Sequence, residues 1–128
     1  MNYPSNLKYT KEHEWAELVS NTQVKIGITD HAQSSLGDIV YLDLPKVGRE
    51  LKSHETFGVV ESIKAVSDLY SPMNGKVVQA NSDLVSEPSK INTNPHGEWM
   101  IVLEAADAKA QFDALMSAAD YAAYVKTL

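Results

Sequence analysis

The sequence contains no cysteine among its 128 residues. The chain therefore cannot form a disulfide, use a thiol as a nucleophile or hold a metal through thiolates. No apolar run approaches the roughly 20 residues that cross a bilayer, and residues 1–11 contain neither an apolar signal core nor an Arg-rich presequence. From these absences we expect a cytoplasmic protein that takes any sulfur redox chemistry from a cofactor.

Basic residues are also few, because 11 Lys and Arg stand against 17 Asp and Glu for a net charge of -6. Such a surface repels nucleic-acid phosphates and anionic lipid, so we expect neither a nucleic-acid partner nor a membrane partner. The length suffices for one sizeable core but is short for two. A single domain over residues 1–128 is the expected organisation.

The sequence also lacks the usual marks of an independent catalytic site. The string from His13 to Glu17 begins like a zinc-hydrolase helix, but Glu17 stands where the second histidine ligand is needed. None of the histidines has metal-ligand spacing, and no serine lies in a nucleophile-elbow pattern. We expect no metal site and no enzyme activity from this chain alone.

Short runs with apolar and polar residues in alternation predict a mainly β fold. Residues 14–28 predict two antiparallel strands joined near Asn21. Further strands are predicted at 38–44, 56–62, 65–70, 75–81 and 99–103. Four aromatic residues in or beside these strands are expected to pack in the core: Trp15, Tyr41, Phe57 and Trp99. So many short strands indicate a sandwich or a barrel.

Helices are predicted at two places. Thr29 or Asp30 can cap a short helix near residues 30–36, which Gly37 would stop. From Asp107 onward an alanine-rich segment predicts helices with a break near Ser117, the first carrying a helix face of Phe112, Leu115 and Met116. The polar residues 83–98, which include two prolines, predict a surface loop.

The most informative segment runs from Phe57 to Pro72 and contains Glu61-Ser62-Ile63-Lys64-Ala65, followed by Asn74-Gly75-Lys76-Val77. It resembles the lipoyl-attachment region of glycine cleavage H-proteins. The resemblance extends over nearly the whole chain, in the family's order. Its further matches are Tyr9 to Trp15, Gly27 to Gln33, Leu36-Gly37-Asp38 and Asp43-Leu44-Pro45.

The resemblance implies a barrel-sandwich hybrid of two small sheets, with a lipoyl-lysine at a hairpin tip. It implies that Lys64 holds lipoic acid through a covalent amide. The residue type suits the task, since lysine offers a primary amine on a long flexible stem. Ile63 and Ala65 flank Lys64 where biotinyl domains have methionines, which disfavours biotin as the cargo.

The resemblance also implies a function, that of a carrier component rather than an enzyme. The carrier moves the aminomethyl group of glycine from the P-protein, a pyridoxal-phosphate decarboxylase, to the tetrahydrofolate-dependent T-protein. Its reduced arm then goes to the L-protein, an FAD-containing dehydrogenase that uses NAD, and lipoate-attaching enzymes load it. Two alternatives stay open: a relay that donates lipoyl groups to 2-oxo-acid dehydrogenase complexes, and an unmodified binding module with the same fold.

Three acidic residues are candidates for roles around the lipoyl arm. Glu61, three positions before Lys64, is expected to help modifying or partner enzymes recognise the turn. As the resemblance implies, the loaded arm folds back onto the protein surface, where Glu14 and Asp68 are the candidate acceptors of its ammonium group. The alternative for all three is an ordinary solvated carboxylate.

Overall fold

Two antiparallel sheets build the protein in the computed structural model, which describes residues 2–128. The larger sheet contains β1 (Leu7–Tyr9), β2 (Glu14–Ser20), β3 (Gln23–Ile28), β5 (Glu50–Leu51), β8 (Gly75–Ala80) and β9 (Ile101–Glu104), and the smaller contains β4 (Ile39–Asp43), β6 (Thr56–Ser62) and β7 (Val66–Tyr70). The strand orders are β1-β2-β3-β9-β8-β5 and β4-β6-β7. The predicted mainly β class is confirmed, and neither sheet closes into a barrel.

The predicted strands correspond to observed ones. The antiparallel pair within residues 14–28 is present, and β6 has the predicted bounds. β1 was not predicted, because a strand of three residues is too short to show alternation. One hydrophobic core takes apolar side chains from both sheets, including Ile26 and Leu103 from the larger and Leu42 and Val60 from the smaller. The inner face of the smaller sheet is therefore packed against the larger sheet.

The expected core position of Tyr41 is wrong, since this side chain is 48% exposed, whereas Trp15 and Phe57 are buried as expected. The β4–β6 register shifts between Ile39 and Tyr41. Such a bulge adds a residue to one strand and changes the alternation of its side chains. Ile39 and Leu42 therefore face the core while Val40 and Tyr41 are both exposed. Trp99 is only partly buried, with the Lys25 ammonium 6.0 Å from its ring centroid.

The short helix α1 (Asp30–Leu36) forms where the sequence predicts it. Thr29 is the N-cap, and its hydroxyl accepts a hydrogen bond from Ala32 N at 3.2 Å. The Gln33 side chain donates to Asp30 Oδ1 at 2.7 Å. Gly37 ends the helix at φ 82°, a conformation that glycine adopts without a Cβ penalty. These local contacts define the start and the end of α1.

The surface loop predicted for residues 83–98 is wrong in part, because two short helices lie there. They are α2 (Ser82–Ser86) and α3 (Lys90–Thr93). Each buries one apolar side chain, Leu84 in α2 and Ile91 in α3. A helix of about one turn with one apolar anchor has no measurable helical period, so the sequence pattern does not reveal it.

The C-terminal helices are α4 (Ala108–Asp113) and α5 (Ala118–Val125). The predicted break at Ser117 is confirmed, and its hydroxyl caps α5 by accepting from Asp120 N at 3.1 Å. The helix face predicted to include Leu115 and Met116 is wrong, because α4 ends before them. Met116 instead exchanges backbone hydrogen bonds of 2.9 and 3.0 Å with Tyr9. This bridge attaches the C-terminal region to β1. Across residues 2–128, no helix has the length and apolar character needed to cross a membrane.

Candidate functional site

The turn between β6 and β7 carries Lys64 and is the tight turn that the sequence predicts. Ser62 N donates to Ala65 O at 2.8 Å and closes the hairpin. The Ser62 hydroxyl accepts from Lys64 N at 3.2 Å and from Ala65 N at 3.1 Å. A buried serine thus binds the backbone of the two residues that follow Ile63, so the turn has a defined shape although its side chains are exposed.

A second set of contacts joins the turn to the end of α1. Ile63 N donates to Asp38 O at 3.1 Å, just after the helix. The stem of Lys64 passes over Gly37, since a Cβ built on that glycine would lie 3.5 Å from Lys64 Cε. The backbone that carries Lys64 is therefore held by contacts within the turn and by contacts to the end of α1. Such support keeps a functional group in a reproducible position.

Lys64 itself fits an amide-linked group. Its side chain is exposed, and within the described part of the chain its ammonium makes no ion pair or hydrogen bond. Its neighbours Ile63 and Ala65 are exposed as well, so an enzyme can approach the amine without displacing packed side chains. Acylation would remove one exposed positive charge and would break no contact that stabilises the fold.

Glu14 is buried, with 2% of its surface exposed. Thr10 Oγ1 donates to Glu14 Oε1 at 3.0 Å, and Tyr70 N donates to Oε2 at 3.4 Å. Burial raises the pKa of this carboxyl to about 8, and the two hydrogen bonds offset the burial only in part. At neutral pH the group is therefore mostly a neutral acid.

Asp68 lies on β7 opposite Val59 and is exposed. It is two residues before Tyr70, whose backbone N–H reaches Glu14. The structure thus brings Glu14 to the strand that carries Asp68, and no hydrogen bond joins the two carboxyl groups. Glu61 is half-buried on β6 between its cross-strand neighbours Tyr41 and Val66. The roles expected of these acidic residues remain proposals.

A hydroxyl junction that the sequence did not indicate joins three segments beside Glu14. The Tyr121 hydroxyl lies 2.7 Å from His13 Nδ1 and 2.8 Å from Thr29 Oγ1. The rings of His13 and His31 are 4.6 Å apart, and burial, followed by the nearby His31, lowers the pKa of His13. His13 has a left-handed φ of 74°, which this junction helps to hold. No sequence signal marks it, because Tyr121 is 108 residues from His13.

Three surface cavities lie away from the lysine. Of three cavities, of about 540, 380 and 410 Å³, none is lined by Lys64, Glu14 or Asp68. The cavity of about 380 Å³ is lined in part by Thr10, the hydrogen-bond donor to Glu14. Within residues 2–128, no three His, Asp or Glu side chains come together as metal ligands would. The reactive group that this site offers is the exposed amine at the hairpin tip.

Two small sheets that share a core, with a free lysine at the tip of a hairpin, define a protein of the lipoyl-domain-like fold class. A family model described as Glycine cleavage H-protein matches residues 7–128, and the chain belongs to that family. This family assignment confirms the resemblance seen in the sequence. It makes the protein a component of the glycine cleavage system and implies a lipoyl carrier.

Individual relatives agree with the family model. A glycine cleavage system H protein of Myxococcus xanthus (strain DK1622) is 53% identical over 126 residues, which cover 98% of this chain and 96% of the relative. One from Opitutus terrae is 54% identical over 121 residues, or 94% of each chain. The crystal structure of a glycine cleavage system H protein from Mycobacterium marinum matches with a TM-score of 0.88 at 34% identity, covering 97% of this chain and 99% of that one.

Proposed function

We propose that the protein holds lipoic acid on Lys64 and serves as the mobile carrier of the glycine cleavage system. The observation that carries this proposal is the hairpin tip, where a turn fixed by Ser62 presents a free, exposed amine. Membership of the H-protein family supports the identity of the cargo. The chain itself then holds the lipoyl group and presents it, while partner enzymes supply the catalysis.

Attachment uses the Lys64 Nζ amine as the nucleophile. The amine attacks the carbonyl carbon of an activated lipoyl group, supplied as an acyl adenylate or a thioester. The amide C–N bond forms, the activating group leaves with its electron pair, and the nitrogen loses its remaining extra proton. When bound, lipoic acid supplies a disulfide that can be reduced to a dithiol, which a chain without cysteine cannot supply.

The partners that we propose are the P-protein, the T-protein, the L-protein and a lipoate-attaching enzyme. Lys64 keeps the cargo tethered, so that each docked partner meets it at a high effective concentration. The exposed hairpin lets one carrier serve several enzymes in turn, which requires short-lived complexes. The acidic net charge of -6 suits partners with basic surfaces around their active-site entrances.

Reconstitution tests this function. The lipoylated chain, mixed with P-, T- and L-proteins, glycine, tetrahydrofolate and NAD, is expected to give NADH in proportion to its concentration. Omitting glycine or the chain provides the blank. A lipoylated chain that gives no NADH, but donates its lipoyl group to a 2-oxo-acid dehydrogenase domain, would support the relay alternative instead.

We further propose that Glu14 and Asp68 receive the ammonium group of the glycine-derived cargo. The Glu14 carboxyl is held in place by Thr10 and Tyr70, and Asp68 lies on the same strand as Tyr70. An approaching cation stabilises the ionised form of Glu14, so the carboxyl gives up its proton as the cation binds. A charge-assisted bond of this kind contributes about 1.5 to 3 kcal/mol where water is excluded.

The cargo-loaded chain is expected to lose its amine faster when either acceptor is removed. Glu14→Ala or Asp68→Ala, once folded and lipoylated to completion, should release ammonia about tenfold faster in the absence of partners. Asp83→Ala, which removes an exposed carboxylate from α2, serves as the control. Equal half-lives for the wild type and both acceptor variants, at one pH and salt concentration, would remove this role.

Glu61 is expected to assist recognition of the turn. Its side chain stands three residues before Lys64 and makes no hydrogen bond or ion pair with the described residues, so it is available to a partner. Glu61→Ala should slow lipoylation about fivefold through the loss of one charged contact. Glu50→Ala, an exposed strand glutamate elsewhere, should not. An unchanged lipoylation rate for a folded Glu61→Ala chain would mean that this carboxylate is merely solvated.

A further inference from the structure

The outer face of the smaller sheet forms a continuous surface that ends at Lys64. Directly paired residues of neighbouring strands project to the same side of a sheet. The pairing places Tyr41, Glu61 and Val66 in one row and Asp43, Val59 and Asp68 in the next, opposite in direction to the buried Leu42 and Val60. We call these six residues the hairpin face.

Apolar side chains are concentrated at the lysine end of this face. Tyr41 is 48% exposed, Val66 is 67% exposed, and Ile63 in the turn is 72% exposed. With Val40, these make up four of the eight large apolar side chains that are exposed among the described residues. Isolated exposed apolar residues are ordinary, but a cluster of them beside a functional group indicates a contact surface.

The charge of the hairpin face has a single sign. Asp43, Glu61 and Asp68 all project from it, and none of them forms an ion pair within residues 2–128. The three strands β4, β6 and β7 contain no lysine or arginine. Unneutralised carboxylates around an apolar centre fit a partner surface with basic residues around an apolar patch.

We propose that the hairpin face is the docking surface for the enzyme that attaches lipoic acid to Lys64. This inference rests on the proposed function, in which Lys64 is the attachment site. The attaching enzyme must bring a carbonyl carbon into bonding contact with Nζ, so it has to cover the hairpin tip and the surface that continues from it. The enzymes that act later work at the far end of the arm and have no such requirement.

The hairpin face shares only Asp68 with the contacts proposed for the loaded arm. Glu14 meets β7 at the N–H of Tyr70, at the end of the strand remote from Lys64. Tyr41 lies at the other edge of the sheet, on β4, and Val66 is next to the turn. Variants at Tyr41, Asp43 and Val66 therefore test docking without altering the acceptors proposed for the cargo.

The apolar part is tested with the unmodified chain, a purified lipoate–protein ligase, ATP and lipoate. Tyr41→Ser and Val66→Ser are expected to raise the KM for the chain about tenfold each and to leave kcat unchanged, as for truncation of central interface contacts. Val19→Ser and Val47→Ser, which remove exposed valines elsewhere, are the matched controls and should keep the wild-type KM.

The charged part is tested by Asp43→Lys, with Asp120→Lys on α5 as the control. Asp43→Lys should raise KM about tenfold at low salt and weaken the dependence of kcat/KM on salt, since one attractive charge becomes repulsive. This variant also keeps the test valid if a serine substitution lowers the Tm.

A wild-type chain that is not lipoylated at all would contradict the proposed function itself. Normal lipoylation with wild-type KM for the folded variants, equal effects of the controls, or a fall in kcat alone would overturn the docking surface.

Discussion

Replacing Lys64 with arginine is expected to abolish glycine-dependent NADH formation in the reconstituted system. Arginine keeps the positive charge and a long stem, so the Ser62 turn is preserved. Its guanidinium remains protonated and is not a nucleophile for an activated acyl group. Activity should therefore fall to the blank, whereas Lys76→Arg on β8 should retain wild-type activity.

The Lys64→Arg result is informative only if the fold is intact. The Tm of the variant should equal that of the wild type, because Lys64 is exposed and its ammonium makes no ion pair with the described residues. Turnover above the blank by a folded Lys64→Arg chain would contradict the assignment of the carrier lysine. Loss of turnover in Lys76→Arg as well would show that the effect is not specific to the lysine at the hairpin tip.

Glu14→Gln is expected to become more stable relative to wild type as the pH increases. The measured quantity is the difference between the free energies of unfolding of the two chains. The Glu14 pKa is about 8 in the folded protein, against an ordinary value of 4.5, because the carboxyl is buried. Between these values the folded state binds more protons than the unfolded state, so the carboxyl's contribution to stability falls as pH rises. Glutamine stays neutral throughout, so the difference in the free energy of unfolding between the variant and the wild type should shift in favour of the variant by about 5 kcal/mol from pH 4 to pH 9, at about 1.4 kcal/mol for each unit between the two pKa values.

The comparison is made by urea unfolding of both chains between about pH 4 and 9, a window that contains the two pKa values. The difference between the curves isolates Glu14, since the half-buried His13 and His96 titrate in both chains. Glu17→Gln, on the same strand, should stay parallel to wild type. A constant difference between Glu14→Gln and wild type across the range would mean that the Glu14 carboxyl is ionised in the folded protein.

Local sequence signals explain which parts of the fold were predictable. The alternation in β3 and β6, the Thr29 cap and the Gly37 stop all act within a few residues, so the sequence pattern contains them. The exposure of Tyr41 depends on a bulge in the β4–β6 pairing, which is a property of two strands rather than one. The short helices α2 and α3 are stabilised by single buried residues and not by a periodic face.

The candidate site also has one part that the sequence predicts and another that it does not. Lys64 and its turn were predictable because the segment around them is contiguous and resembles a known family. The environment of Glu14 was not, because one of its two hydrogen-bond donors, Tyr70, is 56 residues away in the sequence. The junction at Tyr121 joins α5 to His13, which precedes β2, and to Thr29, the N-cap of α1, across a still longer separation. Contacts of this kind depend on the folded packing of distant segments.

The most direct test of the central claim is the mass of the chain after expression with lipoate available, combined with peptide mapping. The account predicts that the wild type gains the mass of one lipoyl group, located on Lys64, and that Lys64→Arg gains none. An unmodified wild type, or a lipoyl group found on Lys52 or Lys76, would contradict it.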